Sequence, residues 1–131
     1  MNKGYITIRE TNHKSFVVEV KLIDGNLWLT KHEIADLFNV FVNTIGNNLR
    51  AIFKSGILSE EDVSSVHSFD QDGKLSSITL YNLEVLIFLS YRIASFESQA
   101  FRKWVMKALH YKYAKENKNI RLLDISFISL N

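Results

Sequence analysis

"LTKHEIADLFNVFVNTIGNNLRAIF", residues 29–53, opens with a helix start, breaks at "FNVFV" and resumes as a second helix. Thr30 and Glu33 have capping-box spacing: the threonine hydroxyl can accept the Glu33 amide while the carboxylate reaches back to the Thr30 amide. Leu29 and Ile34 stand at staple positions. Ile34, Leu37 and Phe38 form one apolar face, and Ala35 is small enough to let another helix approach. Asn39 tolerates a left-handed turn better than other non-glycine residues. Val40 is placed to plug the joint. The second helix is expected over about 43–53, with Ile45, Leu49 and Ile52 or Phe53 inward. Asn43, Thr44, Asn47, Asn48 and Arg50 are left outward. A small residue at 35, a turn at 39, a plug at 40 and an apolar residue at 45 pack two helices at a steep angle. A plain αα-hairpin in a core gives a similar spacing.

Outward from this segment, the pattern alternates strand and helix. Residues 4–10 and 15–22 read as strands. In the latter, Phe16, Val18, Val20 and Leu22 alternate with Val17, Glu19 and Lys21, the period of a half-buried strand. "IDGN" at 23–26 supplies an Asp-Gly turn, and "LWL" at 27–29 returns as a short strand. Ser59 is placed to cap a short acidic helix in "GILSEEDV". Residues 64–81 read as a hairpin around "DQDGK", the position of a wing after a helix-turn-helix. Asn82 can cap "LEVLIFLSYRIA", expected as a core helix over 83–94 and apolar nearly all round. A last helix over 96–117 is expected to bury Phe96, Ala100, Phe101, Trp104, Ala108 and Tyr111. Its other side would carry Arg102, Lys103, Lys107 and His110. The expected fold is therefore α+β: a single winged helix-turn-helix-like domain over residues 1–131, with N-terminal strands, a hairpin wing and two C-terminal packing helices.

Composition bounds the function. The 131 residues contain no cysteine and no proline, so disulfides and thiolate zinc sites are excluded. No run of about 18 apolar residues occurs, and "MNKGYITIRE" lacks a signal-peptide core. A cytoplasmic protein without a membrane partner is the expectation. Net charge is +2 but uneven: residues 1–91 hold 8 basic and 11 acidic side chains, residues 92–121 hold 8 and 2. A basic C-terminal third can attract phosphate; a solvated lysine-rich helix face accounts for the same excess.

Several motifs together resemble the RhuM-like virulence-associated proteins. These are "LWLTKHEIADLFNV", "GILSEEDV", "DGKLSSITLYNLEVLIFLSYRIAS" and "FRKWV", in order over about residues 18–115. "FRKWV" is also similar to an element of phage antirepressor N-domains. The resemblance implies a bacterial or mobile-element protein with a DNA-binding-like N-terminal region, here in a truncated or minimal form. Where that family shows "GVS" and a basic recognition helix, this chain has "NVFVNTIGNN". Phe41 thus replaces a serine cap, a loss of about 1 kcal/mol, with Asn43 placed to cap two residues later. Gly46 inside the helix costs about 1 kcal/mol more.

Asparagine can bond adenine N6 and N7 in the major groove, and the Thr44 methyl can meet a thymine methyl. Asn43, Thr44, Asn47 and Asn48 are the candidate base readers. Arg50, Lys54 and Lys74 at the hairpin tip are the candidate backbone contacts. Polar residues that merely solvate a helix face would look the same. Phe41 and Val42, if exposed, would favour a protein partner, and a second copy of the chain is another candidate partner. Catalysis is not expected. His13, His32, His67 and His110 are scattered, and His32 with Asp36 makes a surface pair rather than a metal site. Glu60, Glu61 and Asp62 suit a helix N-terminus. Tyr91 and Arg92 lack the further basic residues that strand-transfer chemistry needs, and no glycine-rich phosphate loop implies a cofactor. The expectation is a sequence-specific duplex DNA-binding regulator, with an antirepressor-like protein-interaction module as the alternative.

Overall fold

The computed structural model describes residues 2–13 and 15–116. Among these lie five helices and two small antiparallel sheets, an α+β arrangement. Strands β1 (Tyr5–Glu10) and β2 (Phe16–Lys21) form the first sheet, in register from Tyr5↔Lys21 to Glu10↔Phe16. The cross-strand pairs Ile6↔Val20 and Ile8↔Val18 share the face that packs on the core. Leu22 falls beyond the strand end and is exposed, so the expected alternation stops one residue short. Gly4 is required where it stands. Its φ is +69°, and a Cβ there would lie 2.5 Å from the Lys21 carbonyl oxygen. This close approach lets the Lys3 carbonyl accept the Trp28 amide at 2.9 Å and tie the first sheet to the second.

Asp24 and Gly25 both take positive φ in a tight turn closed by an Ile23↔Asn26 bridge. The chain then enters β3 (Trp28–Thr30) and α1 (Lys31–Phe38). The capping box forms as the spacing implies: the Glu33 amide donates to the Thr30 hydroxyl at 3.1 Å, and the Thr30 amide donates to the Glu33 carboxylate at 2.9 Å. Burial would raise the Glu33 pKa. The Lys3 ammonium at 2.7 Å, with the Thr30 amide and hydroxyl, outweighs it and holds the carboxyl below its usual range. Asn39 ends α1 in the left-handed conformation, φ 56°. Ile34, Ala35 and Phe38 are buried, and Leu37 and Val40 pack at the core's edge.

Helix α2 (Val42–Ser55) begins one residue earlier than expected. Phe41 takes the extended N-cap backbone without a side-chain cap, so Asn43 lies inside the first turn and does not cap. Ile45, Leu49 and Ile52 are buried, and Phe53 stacks on Tyr81 at 6.4 Å. Gly46 is helical. A Cβ there would meet Arg50 Nη1 and Lys31 Cδ at 3.7 Å, ordinary van der Waals contact. Gly46→Ala is therefore expected to stabilise the fold by up to about 1 kcal/mol. Thermal melting checks this, and a lowered Tm would show that the Lys31 chain over α2 cannot give way.

Four-residue α3 (Glu60–Val63) follows, with Ser59 at the cap position but making no side-chain capping bond. Strands β4 (Ser64–Gln71) and β5 (Lys74–Asn82) form a hairpin closed by Asp72 and Gly73, both at positive φ. That conformation is what a two-residue Asp-Gly hairpin turn demands. The strand order is β3-β5-β4, with Leu29 opposite Tyr81. Asn82 caps α4 (Leu83–Ser90), accepting the Val85 amide at 3.2 Å. Val85, Leu86, Leu89 and Ser90 are buried at the centre of the core.

Helix α4 ends at Ser90, not near 94, because Tyr91 and Arg92 form a turn. Helix α5 (Phe96–Glu116) then starts with a reciprocal cap: the Ser98 amide donates to Ser95 Oγ at 3.1 Å, and the Ser95 amide donates to Ser98 Oγ at 3.2 Å. Residue 117, the expected helix end, lies outside the described residues, as do Lys118 and Arg121 of the basic third. Phe101 is fully buried between Phe38 and Trp104. The expected burial of Phe96, Ala108 and Tyr111 does not occur; all three are exposed. Phe96 stacks on Phe16 at the rim, 6.3 Å away. Ala108 and Tyr111 lie beyond Val105, the last α5 residue packed against the core. Arg102 also departs from expectation. It turns inward, and its Nη1 donates to the Ser90 and Ile93 carbonyls at the α4 turn, the second of which also accepts Ser98 Oγ at 2.6 Å.

Candidate nucleic-acid interface

Helix α2 presents the site. Its inward positions are taken by Ile45, Leu49 and Ile52, so residues offset from them by about half a turn must face solvent. Asn43, Asn47, Arg50 and Lys54 recur at helical spacing along one stripe, and all four are exposed. No aspartate or glutamate occurs between residues 42 and 55, so nothing on α2 repels a phosphate. Lys54 adds its charge in the last turn, where the helix dipole favours a cation.

The candidate residues are not equivalent. Asn43 is exposed in the first turn. Arg50 donates to Asn47 Oδ1, a contact between two residues of the stripe. The oxygen keeps a second lone pair, so the amide can still both donate and accept. Thr44 is half-buried on the neighbouring stripe. Asn48 lies one turn further on, and both its polar atoms have intramolecular partners. Its Nδ2 donates to the Thr44 carbonyl at 2.8 Å, and its Oδ1 accepts Arg92 Nε at 2.9 Å.

Lys74 is exposed at the far end of the β4–β5 hairpin, where residues 68–75 are exposed throughout. It stands seven residues along β5 from Tyr81, on the order of 23 Å at strand rise. The Tyr81–Phe53 stack fixes the hairpin's base to α2. Burial, and then the Glu60 charge, push the Tyr81 phenol's pKa up, so this anchor stays neutral. Thus α2 brings Asn43, Asn47, Arg50 and Lys54 together, whereas Lys74 is held apart on a separate projection. Lys103 and Lys107 line a groove between α5 and β2 with Phe16, Phe96 and Trp104, away from the α2 stripe.

Sequence reasoning missed two cations that flank α2. Lys31, in the first turn of α1, lies across α2 beside Gly46. Arg92, in the turn after α4, reaches Asn48 over 44 residues of chain; no local pattern signals such a bond. Phe41 is 84% exposed at the head of α2, beside Val40 and Thr44 in a shallow surface hollow. Val42 instead packs against the core. Among the described residues, no three His, Asp or Glu side chains gather where they could hold a metal ion. No described helix is long and apolar enough to cross a membrane. No family model matches the chain, and no curated protein or solved structure matches it significantly.

Proposed function

We propose that this chain is a winged helix-turn-helix protein that binds duplex DNA sequence-specifically and regulates a bacterial or mobile-element locus, in keeping with its RhuM-like motifs. The observation that carries the reading is one arrangement. The α1–α2 pair is inserted between β3 and a protruding β4–β5 hairpin, the strand order is β3-β5-β4, and the outward face of α2 carries no acid. A major groove about 12 Å wide admits one helix. In this reading α2 enters it, Asn43, Thr44 and Asn47 meet base edges, and Arg50 and Lys54 meet phosphates. The hairpin, with Lys74 beside its Asp72-Gly73 turn, reaches the flanking backbone.

The asparagines predict an A·T-containing site. Selection from random duplexes at low salt with the purified, folded protein is expected to enrich such a motif; no enrichment would reject the DNA reading. One observation favours the alternative of a protein-interaction module: Phe41 places a large apolar ring in solvent at the head of α2. The same selection separates the two, since an interaction module has no reason to enrich any duplex.

A further inference from the structure

We infer that Arg92, in the turn after α4, is a DNA-phosphate ligand of the α2 face, and that Asn48 is its positioning residue rather than a reader of bases. The inference rests on the DNA-binding reading and adds to it a contact from outside the helix-turn-helix.

Three features build the site. First, the turn is rigidly held. The Tyr91 amide donates to the Phe88 carbonyl at 3.2 Å and the Arg92 amide to the Leu89 carbonyl at 2.9 Å. Arg102 clamps the Ser90 and Ile93 carbonyls from below while its guanidinium lies 5.8 Å from the centre of the Tyr91 ring. Second, Arg92 is exposed, and its Nε is engaged by Asn48 Oδ1 at 2.9 Å. This bond uses the edge of the guanidinium nearest the chain and leaves both Nη groups for a planar, two-pronged contact with phosphate oxygens. Among the described residues no carboxylate pairs with it; the ion pairs there are Lys3–Glu33 and Arg9–Glu19. Third, Asn48 is itself locked. Its Nδ2 is bound to the Thr44 carbonyl within α2, so its oxygen points across to the turn. An asparagine reading adenine must offer oxygen and amide together outward; here both are turned to protein partners. Tyr91, exposed and adjacent to Arg92 in the chain, carries a hydroxyl of the kind that donates to DNA backbones.

The test uses the full chain and binding isotherms at several salt concentrations, on a selected and on a scrambled duplex. Arg92→Gln removes the charge but keeps a donor for Asn48, so it spares the fold. It is expected to weaken binding about five-fold near 0.15 M salt on both duplexes. The salt slope should fall by about 0.9, the share of one phosphate contact. Arg92→Lys keeps the charge and is expected to keep the slope. Asn48→Ala is expected to weaken both duplexes alike, with no further loss when added to Arg92→Gln, because it acts through that arginine. If the wild-type chain binds duplex while Arg92→Gln keeps its affinity and slope, the phosphate role is wrong and the DNA reading stands. If Asn48→Ala loses affinity only on the selected duplex, Asn48 reads bases and the positioning role is wrong. If the wild-type chain binds no duplex, both fall together.

Discussion

Phe101→Ala is expected to destabilise the protein by about 3–5 kcal/mol, the range for deleting a buried aromatic ring. Phe101 has no exposed surface, and its ring sits 5.8 Å from Phe38 in a tilted pair and 6.0 Å from Trp104 in a stacked one. It therefore fastens α5 to α1, and through α1 to the two-helix joint that presents α2. The truncation would leave a cavity lined by rings that cannot easily collapse, which places the cost toward the upper end. Phe96→Ala provides the control on the same helix. Phe96 is 73% exposed and touches only the rim through its stack with Phe16, so its removal should cost under about 1 kcal/mol. Urea denaturation of both variants measures the difference. Equal losses would mean that α5 does not dock on α1 through Phe101, and the support of the α2 face would need a different account.

The contrast between those two phenylalanines also marks what a sequence can disclose here. The devices legible beforehand are ones in which a side chain meets backbone within a few residues. The Thr30–Glu33 box and the Asn82 cap belong to this class, and the left-handed Asn39 and the Asp72-Gly73 turn are equally local, set by backbone conformation rather than by a side-chain bond. Their geometry depends on local chemistry, so spacing alone announces them. The α2 core positions were legible for a similar reason, since Ile45, Leu49 and Ile52 keep the helical period.

Burial on α5 was legible at its centre, where Phe101 and Trp104 pack as expected, but not toward its two ends. Periodicity says which residues share a face, but not where the neighbouring elements stop, and here they stop near Val105. Aromatic residues before and after that stretch keep the period and lose the cover. Arg102 was misplaced because its partners, the Ser90 and Ile93 carbonyls, become available only when α4 ends in a turn. The Arg92–Asn48 bond lay furthest from view. It joins two elements that tertiary packing alone brings together, and it separates Asn48 from the other asparagines although their sequence context is nearly the same.

That separation sets the prediction for Asn47. If α2 reads bases, Asn47→Ala is expected to lose about 1–3 kcal/mol on the selected duplex and little on a scrambled one. Asn47 is exposed on the acid-free stripe, and its contact with Arg50 does not bury it. Lys103→Ala should differ from it on both counts. Lys103 lines the groove between α5 and β2, away from the stripe, so affinity and salt slope should both stay near the wild-type values. Isotherms for the two variants on both duplexes, over a range of salt, supply the comparison. An equal loss on both duplexes for Asn47→Ala would place its effect in the fold or the phosphate backbone. A clear drop in salt slope for Lys103→Ala would move the DNA path onto α5. That second outcome would also restore the reading in which the basic C-terminal third, rather than α2, supplies the charge that holds DNA.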